Sequence, residues 1–151
     1  MASPRARLFI AVSPPPEVRQ RIADYVAELR AIRMLNNARW VPAEQYHVTL
    51  RFLGESPAAG IPELLPTVRE LNRAIGPDTD DLRFSSLVAF PHRSPRVLAL
   101  SCDKRSSERL GNLRERLHER LAERLPDIPP PGRRPFRPHL TLARFRRGVR
   151  S

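Results

Sequence analysis

His47-Val48-Thr49-Leu50-Arg51-Phe52-Leu53 and His139-Leu140-Thr141-Leu142-Ala143-Arg144-Phe145 are the stretches on which the reading of this chain turns. The tetrad His-aliphatic-Thr-Leu occurs twice, at an offset of 92 positions. Each stretch alternates polar and apolar residues and favours a strand. Successive strand side chains point to opposite faces, so His47 and Thr49 share one face while Val48 and Leu50 share the other. His139 and Thr141 stand in the same relation to Leu140 and Leu142. The aliphatic faces suit packing against helices. The polar faces must meet water, a partner or a ligand, because buried polar groups need hydrogen bonds.

Working outward, the flanking segments repeat as well. Arg7 to Val12 reads as a buried strand, and Pro14-Pro15-Pro16 opens a helix over Glu17 to Arg33 with Val18, Ile22, Tyr25, Val26 and Leu29 at helical spacing. Arg39-Trp40-Val41-Pro42 and a turn then lead into the first tetrad. In the second half, Arg96 to Leu100 resembles the first strand. Ser106 or Ser107 is placed to cap a helix reaching about Leu125, striped by Leu110, Leu113, Leu117 and Leu121. Pro129-Pro130-Pro131 forms a joint, and Arg134 to Pro138 leads into the second tetrad. Between the halves lie a helix, Ile61 to Ile75, closed by Gly76, and a strand, Leu82 to Phe90. The expectation is one α+β domain over 1–151, with pseudo-repeat halves at about 7–55 and 96–147. Each half is a small antiparallel sheet backed by helix.

The chain has 151 residues, 40% hydrophobic, enough for one core. Its net charge is +11, and Lys104 is the only lysine. Arginine offers a planar fork suited to phosphate and stacks on bases. Genomic base composition explains arginine in place of lysine equally well, so charge alone points only weakly to nucleic acid. Cys102 is the only cysteine, which excludes an internal disulfide and a thiolate zinc cluster, and its apolar neighbours argue against a nucleophile. The apolar run Leu8 to Val12 is too short for a signal segment or a membrane span, and a soluble, cytoplasmic protein is expected. His92 and His118 lack a repeated partner and read as structural, His118 on or beside the solvated face of its helix. Asp78, Asp80 and Asp81 read as a solvated turn. No phosphate-cradling glycine loop or zinc-binding helix motif is present, so no metal or cofactor is expected.

Were the two strands side by side about a pseudo-twofold, two imidazoles and two hydroxyls would line one cleft. Threonine hydroxyls donate to phosphate oxygens, and an imidazole with an ordinary pKa near 6.5 takes either protonation state at neutral pH. Opening a cyclic phosphate needs one proton delivered to the leaving oxygen and one removed from water, each worth roughly 10²–10⁴-fold. Strain in the five-membered ring lowers the demand on the catalyst, so no metal is required.

These residues resemble the 2H phosphoesterase superfamily, in particular the RNA 2′,3′-cyclic phosphodiesterases once called 2′-5′ RNA ligases. The resemblance runs in order through Arg7 to Val12, Arg39 to Glu55, Ala89-Phe90-Pro91 with Arg96-Val97-Leu98, and Arg134 to Arg144. It implies a bilobal fold of two pseudo-symmetric antiparallel sheets with outer helices and a central cleft. It also implies metal-independent hydrolysis of RNA 2′,3′-cyclic phosphate ends, or of cyclic nucleotides, to 2′-phosphomonoesters. By the family pattern His47 is the general acid and His139 the general base, with the two assignments interchangeable by symmetry. Thr49, Thr141 and Arg134 are the phosphate ligands it implies. Phe52 is a candidate for base contact, although simple alternation puts it on the Val48–Leu50 face, where core packing is expected. Relatives continue past the second motif with a further strand or two, whereas this chain ends at Ser151. An incomplete second lobe is therefore expected, as a monomer or as a dimer through an exposed sheet edge. Reversible 2′-5′ ligation and a non-catalytic RNA-binding module are the alternative functions.

Overall fold

The run ending in Val12 forms β1 (Arg5–Val12), and the prolines that follow admit the chain into α1 (Pro16–Arg30). Proline fits there because first-turn N–H groups have no partner within the helix. The computed structural model describes residues 5–57, 61–75 and 81–146. α1 ends at Arg30 rather than Arg33, because Ile32 turns to an extended conformation and Arg33–Leu35 closes as a 3-10 turn. Three residues around Arg39 then form β2 (Ala38–Trp40), an element not anticipated from the sequence, followed by β3 (Val48–Pro57) and α2 (Ile61–Ile75). The second half runs β4 (Phe84–Phe90), β5 (Val97–Cys102), α3 (Lys104–Arg124) and β6 (His139–Phe145). Gly76, Asp78 and Asp80 fall outside the described residues. Asp81 lies within them, near Arg83, Arg105 and Arg109.

The cap of α3 differs from expectation. Asp103 serves, its Oδ1 accepting from the Ser106 N–H at 2.8 Å. Ser106 is itself buried, and its Oγ accepts from the Arg83 N–H at 2.9 Å, which fixes the start of β4 against the helix.

All strands pair antiparallel, in the order β1-β3-β6-β5-β4, with β2 also on β6. β1 pairs with β3, β5 lies between β6 and β4, and β2, from the first half of the chain, pairs with β6 of the second. One pair, Val48 with Leu140, joins β3 to β6, so the two expected sheets meet edge to edge. Ile22, Val26 and Leu29 of α1, Leu71 of α2, and Leu110, Leu113, Leu117 and Leu121 of α3 share one core with Val48, Leu50, Leu100, Leu140 and Leu142. The helices therefore cover one side of the sheet, and the His-x-Thr residues emerge on the other.

Both central strands carry a bulge at the same point of the repeat. In β3, Ala11 faces Thr49 while Ile10 faces Arg51, leaving Leu50 extra. In β6, Ala99 faces Thr141 while Leu98 faces Ala143, leaving Leu142 extra. An extra residue reverses which side chains point where beyond it. Gly54, with φ of +68°, stands just past a second irregularity in β3, in a left-handed conformation that favours glycine.

Arg51 is consequently turned into the helix side, where it is only 6% exposed. Its Nη1 lies 3.1 Å from His118 Nδ1 and its Nη2 donates to the Pro129 carbonyl. Arg114 adds an Nε–H bond to the Leu50 carbonyl at 3.1 Å and lies over the Phe136 ring at 4.9 Å. Two cationic side chains thus tie the first tetrad's strand to α3 and to the proline joint ahead of the second tetrad. His118 is half-buried within this network rather than on a solvated face. Its Nδ1 has to be bare to accept from a guanidinium, which only donates.

Burial, then Arg114 and Arg51, hold the His118 imidazole below its ordinary range, with Glu115 opposing them weakly. The unfolded chain therefore takes up this proton more readily. The stability it contributes is present above about pH 6.5 and is lost as pH falls through the lower folded value. Melting curves between about pH 7.5 and pH 5.5 should fall more steeply for the parent than for His118→Gln. Equal slopes would remove His118 from the pH dependence.

Candidate active site

His47 sits one residue ahead of β3 and His139 is the first residue of β6. Two residues before each, the chain turns a carbonyl back on the ring. His47 Nδ1 lies 2.7 Å from the Gln45 oxygen, and His139 Nδ1 lies 2.9 Å from the Arg137 oxygen. A carbonyl oxygen only accepts, so each Nδ1 carries the proton and each neutral ring presents a bare Nε2. The same lock in both halves gives two imidazoles in one tautomer, each with Nε2 as its outward nitrogen.

The Val48–Leu140 pair is antiparallel, which sets His47 beside the Thr141 position and Thr49 beside the His139 position. Val48 and Leu140 are 1% and 0% exposed on the helix side. The four polar residues accordingly share the opposite face, each only half-buried. Neighbouring positions across such a ladder have Cβ atoms about 4.5–5.5 Å apart. The register thus sets the four positions next to one another on one face of the sheet.

Aromatic rings flank the histidines. Phe9 stacks on His47 with centroids 4.9 Å apart and an interplanar angle of 28°, and Phe90 meets His139 edge-on at 5.0 Å. Phe52 lies 6.2 Å from Phe9 and is 73% exposed. The expected core role for Phe52 is therefore wrong. β1 alternates regularly, Phe9 pairs with Phe52 and Ala11 with Thr49, so Phe52 and Thr49 share the histidine face. The Leu50 bulge put it there. By the same logic Arg144, paired with Val97, shares the face of Thr141, paired with Ala99. Arg144 is exposed and occupies the place in β6 that Phe52 holds in β3. Sequence reasoning gave it no role, and the signal that could have found it is the repeat itself, which aligns Arg144 with Phe52. Arg134 is exposed in the joint between α3 and β6, outside any strand register.

Two hollows lie away from this face. One, between α1 and β4, is lined by Val18, Tyr25 and Leu100, and another, beneath α2, by Leu50, Leu71 and Leu117. Cys102 is buried and its thiol is pushed up to about 11 by burial and by Asp103, which keeps it protonated and inert at neutral pH. Among the described residues no His, Cys, Asp or Glu cluster is arranged to hold a metal ion, and no helix is long and apolar enough to cross a membrane.

A family model described as the 2′-5′ RNA ligase superfamily matches residues 14–149. The chain belongs to that superfamily. Within the 2′-5′ RNA ligase superfamily it is 36% identical over 140 residues to the RNA 2′,3′-cyclic phosphodiesterase of Thermus thermophilus, covering 91% of this chain and 68% of that protein. The Bacillus subtilis protein of the same description is 31% identical over 112 residues, covering 74% of this chain and 57% of its own length. Among solved structures, a Thermus thermophilus protein aligns with a TM-score of 0.64 at 31% identity, covering 93% of this chain and 74% of that one. E. coli LigT complexed with 3′-AMP aligns with a TM-score of 0.62 at 25% identity, over 93% of this chain and 74% of LigT. Superfamily membership and the α+β fold thus agree with the resemblance read from the two motifs.

Proposed function

We propose that this protein hydrolyses RNA 2′,3′-cyclic phosphate ends to 2′-phosphomonoesters without a metal ion. The observation that carries the reading is the pair of imidazoles on one sheet face, each with Nδ1 locked to a carbonyl two residues back. In this reading His139 Nε2 takes a proton from the attacking water while His47 Nε2–H delivers one to the leaving 3′ oxygen. The P–O3′ bond breaks, the new P–O bond retains the water oxygen, and the 2′ ester survives. Thr49 and Thr141 hold the non-bridging oxygens. Arg144, on the same face two ladder steps past Thr141, adds positive charge near the phosphate, and Arg134 is a further candidate from the joint. The relatives described as RNA 2′,3′-cyclic phosphodiesterases support the substrate, and LigT with 3′-AMP supports a nucleotide at this fold. The single buried thiol fits a cytoplasmic location.

The exposed Phe9–Phe52 pair beside His47 offers a stacking surface for a base. Phe52→Ala should raise KM on the order of tenfold, since stacking contributes about 1–3 kcal/mol per base, while leaving the melting temperature nearly unchanged. An unaltered KM would exclude Phe52 from base contact.

The family description favours a second direction, joining a cyclic phosphate to a 5′-hydroxyl end, which would use the same residues in reverse. Incubating a labelled cyclic-phosphate oligonucleotide in chelator, with and without a 5′-hydroxyl acceptor, separates the two by product. The expected product is a 2′-phosphate end. RNA binding with neither product would sink both readings.

A further inference from the structure

The two ends of this pseudo-symmetric site differ in chemistry. Beyond Thr49 the ladder presents Phe52 opposite Phe9; at the equivalent step beyond Thr141 it presents Arg144, opposite Val97 on one side and Arg39 on the other. β2 pairs regularly with β6, and its Ala38 and Trp40 pack in the apolar cluster with Ala143 and Phe145. Arg39, between them, therefore points to the histidine face, as Arg144 does. Both residues are exposed.

Like charges directly across a ladder oppose each other and weaken the pairing. Among the described residues neither Arg39 nor Arg144 is relieved by a carboxylate. Some arginines elsewhere do have one, Arg83 and Arg105 on Asp81 and Arg120 and Arg124 on Glu70, and what sets Arg39 and Arg144 apart is that they face each other across a ladder. An anion lying over the Arg39–Arg144 pair would convert mutual repulsion into two charge-assisted contacts. The pair lies two ladder steps past Thr141, about 7 Å along the strand. That is beside the reactive phosphate rather than on it.

We propose that Arg39, together with Arg144 across the ladder from it, forms a second phosphate subsite. It takes the phosphodiester on the 5′ side of the terminal nucleotide. An RNA chain ending in a cyclic phosphate extends only in that direction, so the next phosphate of the strand is the anion available. The aromatic end would take the base and the cationic end the chain, and the site would select polynucleotide ends over free cyclic nucleotides. This inference rests on the cyclic-phosphate reading of the site.

The test compares the parent, Arg39→Gln and Arg39→Lys on an RNA oligomer with a 2′,3′-cyclic phosphate end and on 2′,3′-cyclic AMP. Arg39→Gln should raise KM for the oligomer on the order of tenfold, as expected for one charged hydrogen-bonding contact. Its kcat, and both constants for cyclic AMP, should stay unchanged. The salt dependence of the oligomer KM should drop by about one phosphate contact, and Arg39→Lys should retain it. Equal losses on both substrates, or a loss in kcat, would overturn the proposal by placing Arg39 on the reactive phosphate. No loss on either substrate would overturn it as well. Should the parent hydrolyse neither substrate, the activity reading fails separately. The subsite is then decided by binding of a 2′-phosphate-ended oligomer against 2′-AMP, where only the former should weaken in Arg39→Gln. Melting curves verify folding, and removing a like charge across the ladder should not lower them.

Discussion

Replacing His139 by alanine is expected to lower the rate of cyclic-phosphate hydrolysis by about 10²–10⁴-fold, and His47→Ala by a comparable factor. Each ring stands at the end of a short lever: a strand register that points it outward and a backbone carbonyl that holds its Nδ1. Alanine removes the proposed proton carrier but leaves Thr49, Thr141 and Arg144 in place. RNA affinity should therefore persist while kcat falls. In the proposed scheme both proton transfers belong to one step, so the double variant should be little worse than either single one, because residues that act as a unit are not additive. Initial rates on a labelled oligomer, with equilibrium binding alongside, decide the matter. Full activity in either single variant would end the paired-histidine scheme, whichever ring is acid and whichever base.

Leu140→Ala is expected to destabilise the fold by about 2–5 kcal/mol. Leu140 is 0% exposed, and it is half of the one ladder pair that joins β3 to β6. Its loss leaves a cavity beneath the line along which the two halves meet. The urea midpoint should fall with the slope unchanged, since the same surface unfolds. Leu65→Ala, at a side chain 42% exposed on α2, is the control and should shift stability by no more than about 0.5 kcal/mol. A Leu140 variant as stable as that control would mean that the join between halves bears little of the core. The two pairs of variants separate cleanly: the histidines should lose turnover with stability intact, and Leu140 the reverse.

Much of the site was legible from the residues. His47, Thr49, His139 and Thr141 could be placed on common faces because strand alternation is a local property, set by two backbone angles per residue. Repetition then argued that the two faces belong together. Phe52 shows where that reasoning stops. Counting by twos from His47 sends it to the core, and it stands 73% exposed beside Phe9. Arg51 shows the same bulge from the other side, a charged residue turned inward by one extra leucine. Arg144 escaped notice for this reason too, since alternation from His139 put it with Leu140 and Leu142. His118 was placed by its helix alone, whereas its partner Arg51 comes from a strand 67 positions earlier.

The sequence by itself determined the repeated order of elements, the α+β class, the apolar stripes of the helices and the pair of polar tetrads, because each follows from periodicity within a segment. Only the tertiary structure decided the bulges at Leu50 and Leu142, the β2 strand that brings Arg39 against Arg144, and the single pair that joins β3 to β6. Those features depend on which strand lies alongside which. A bulge is a mismatch in count between two partners, and neither partner's sequence alone contains it.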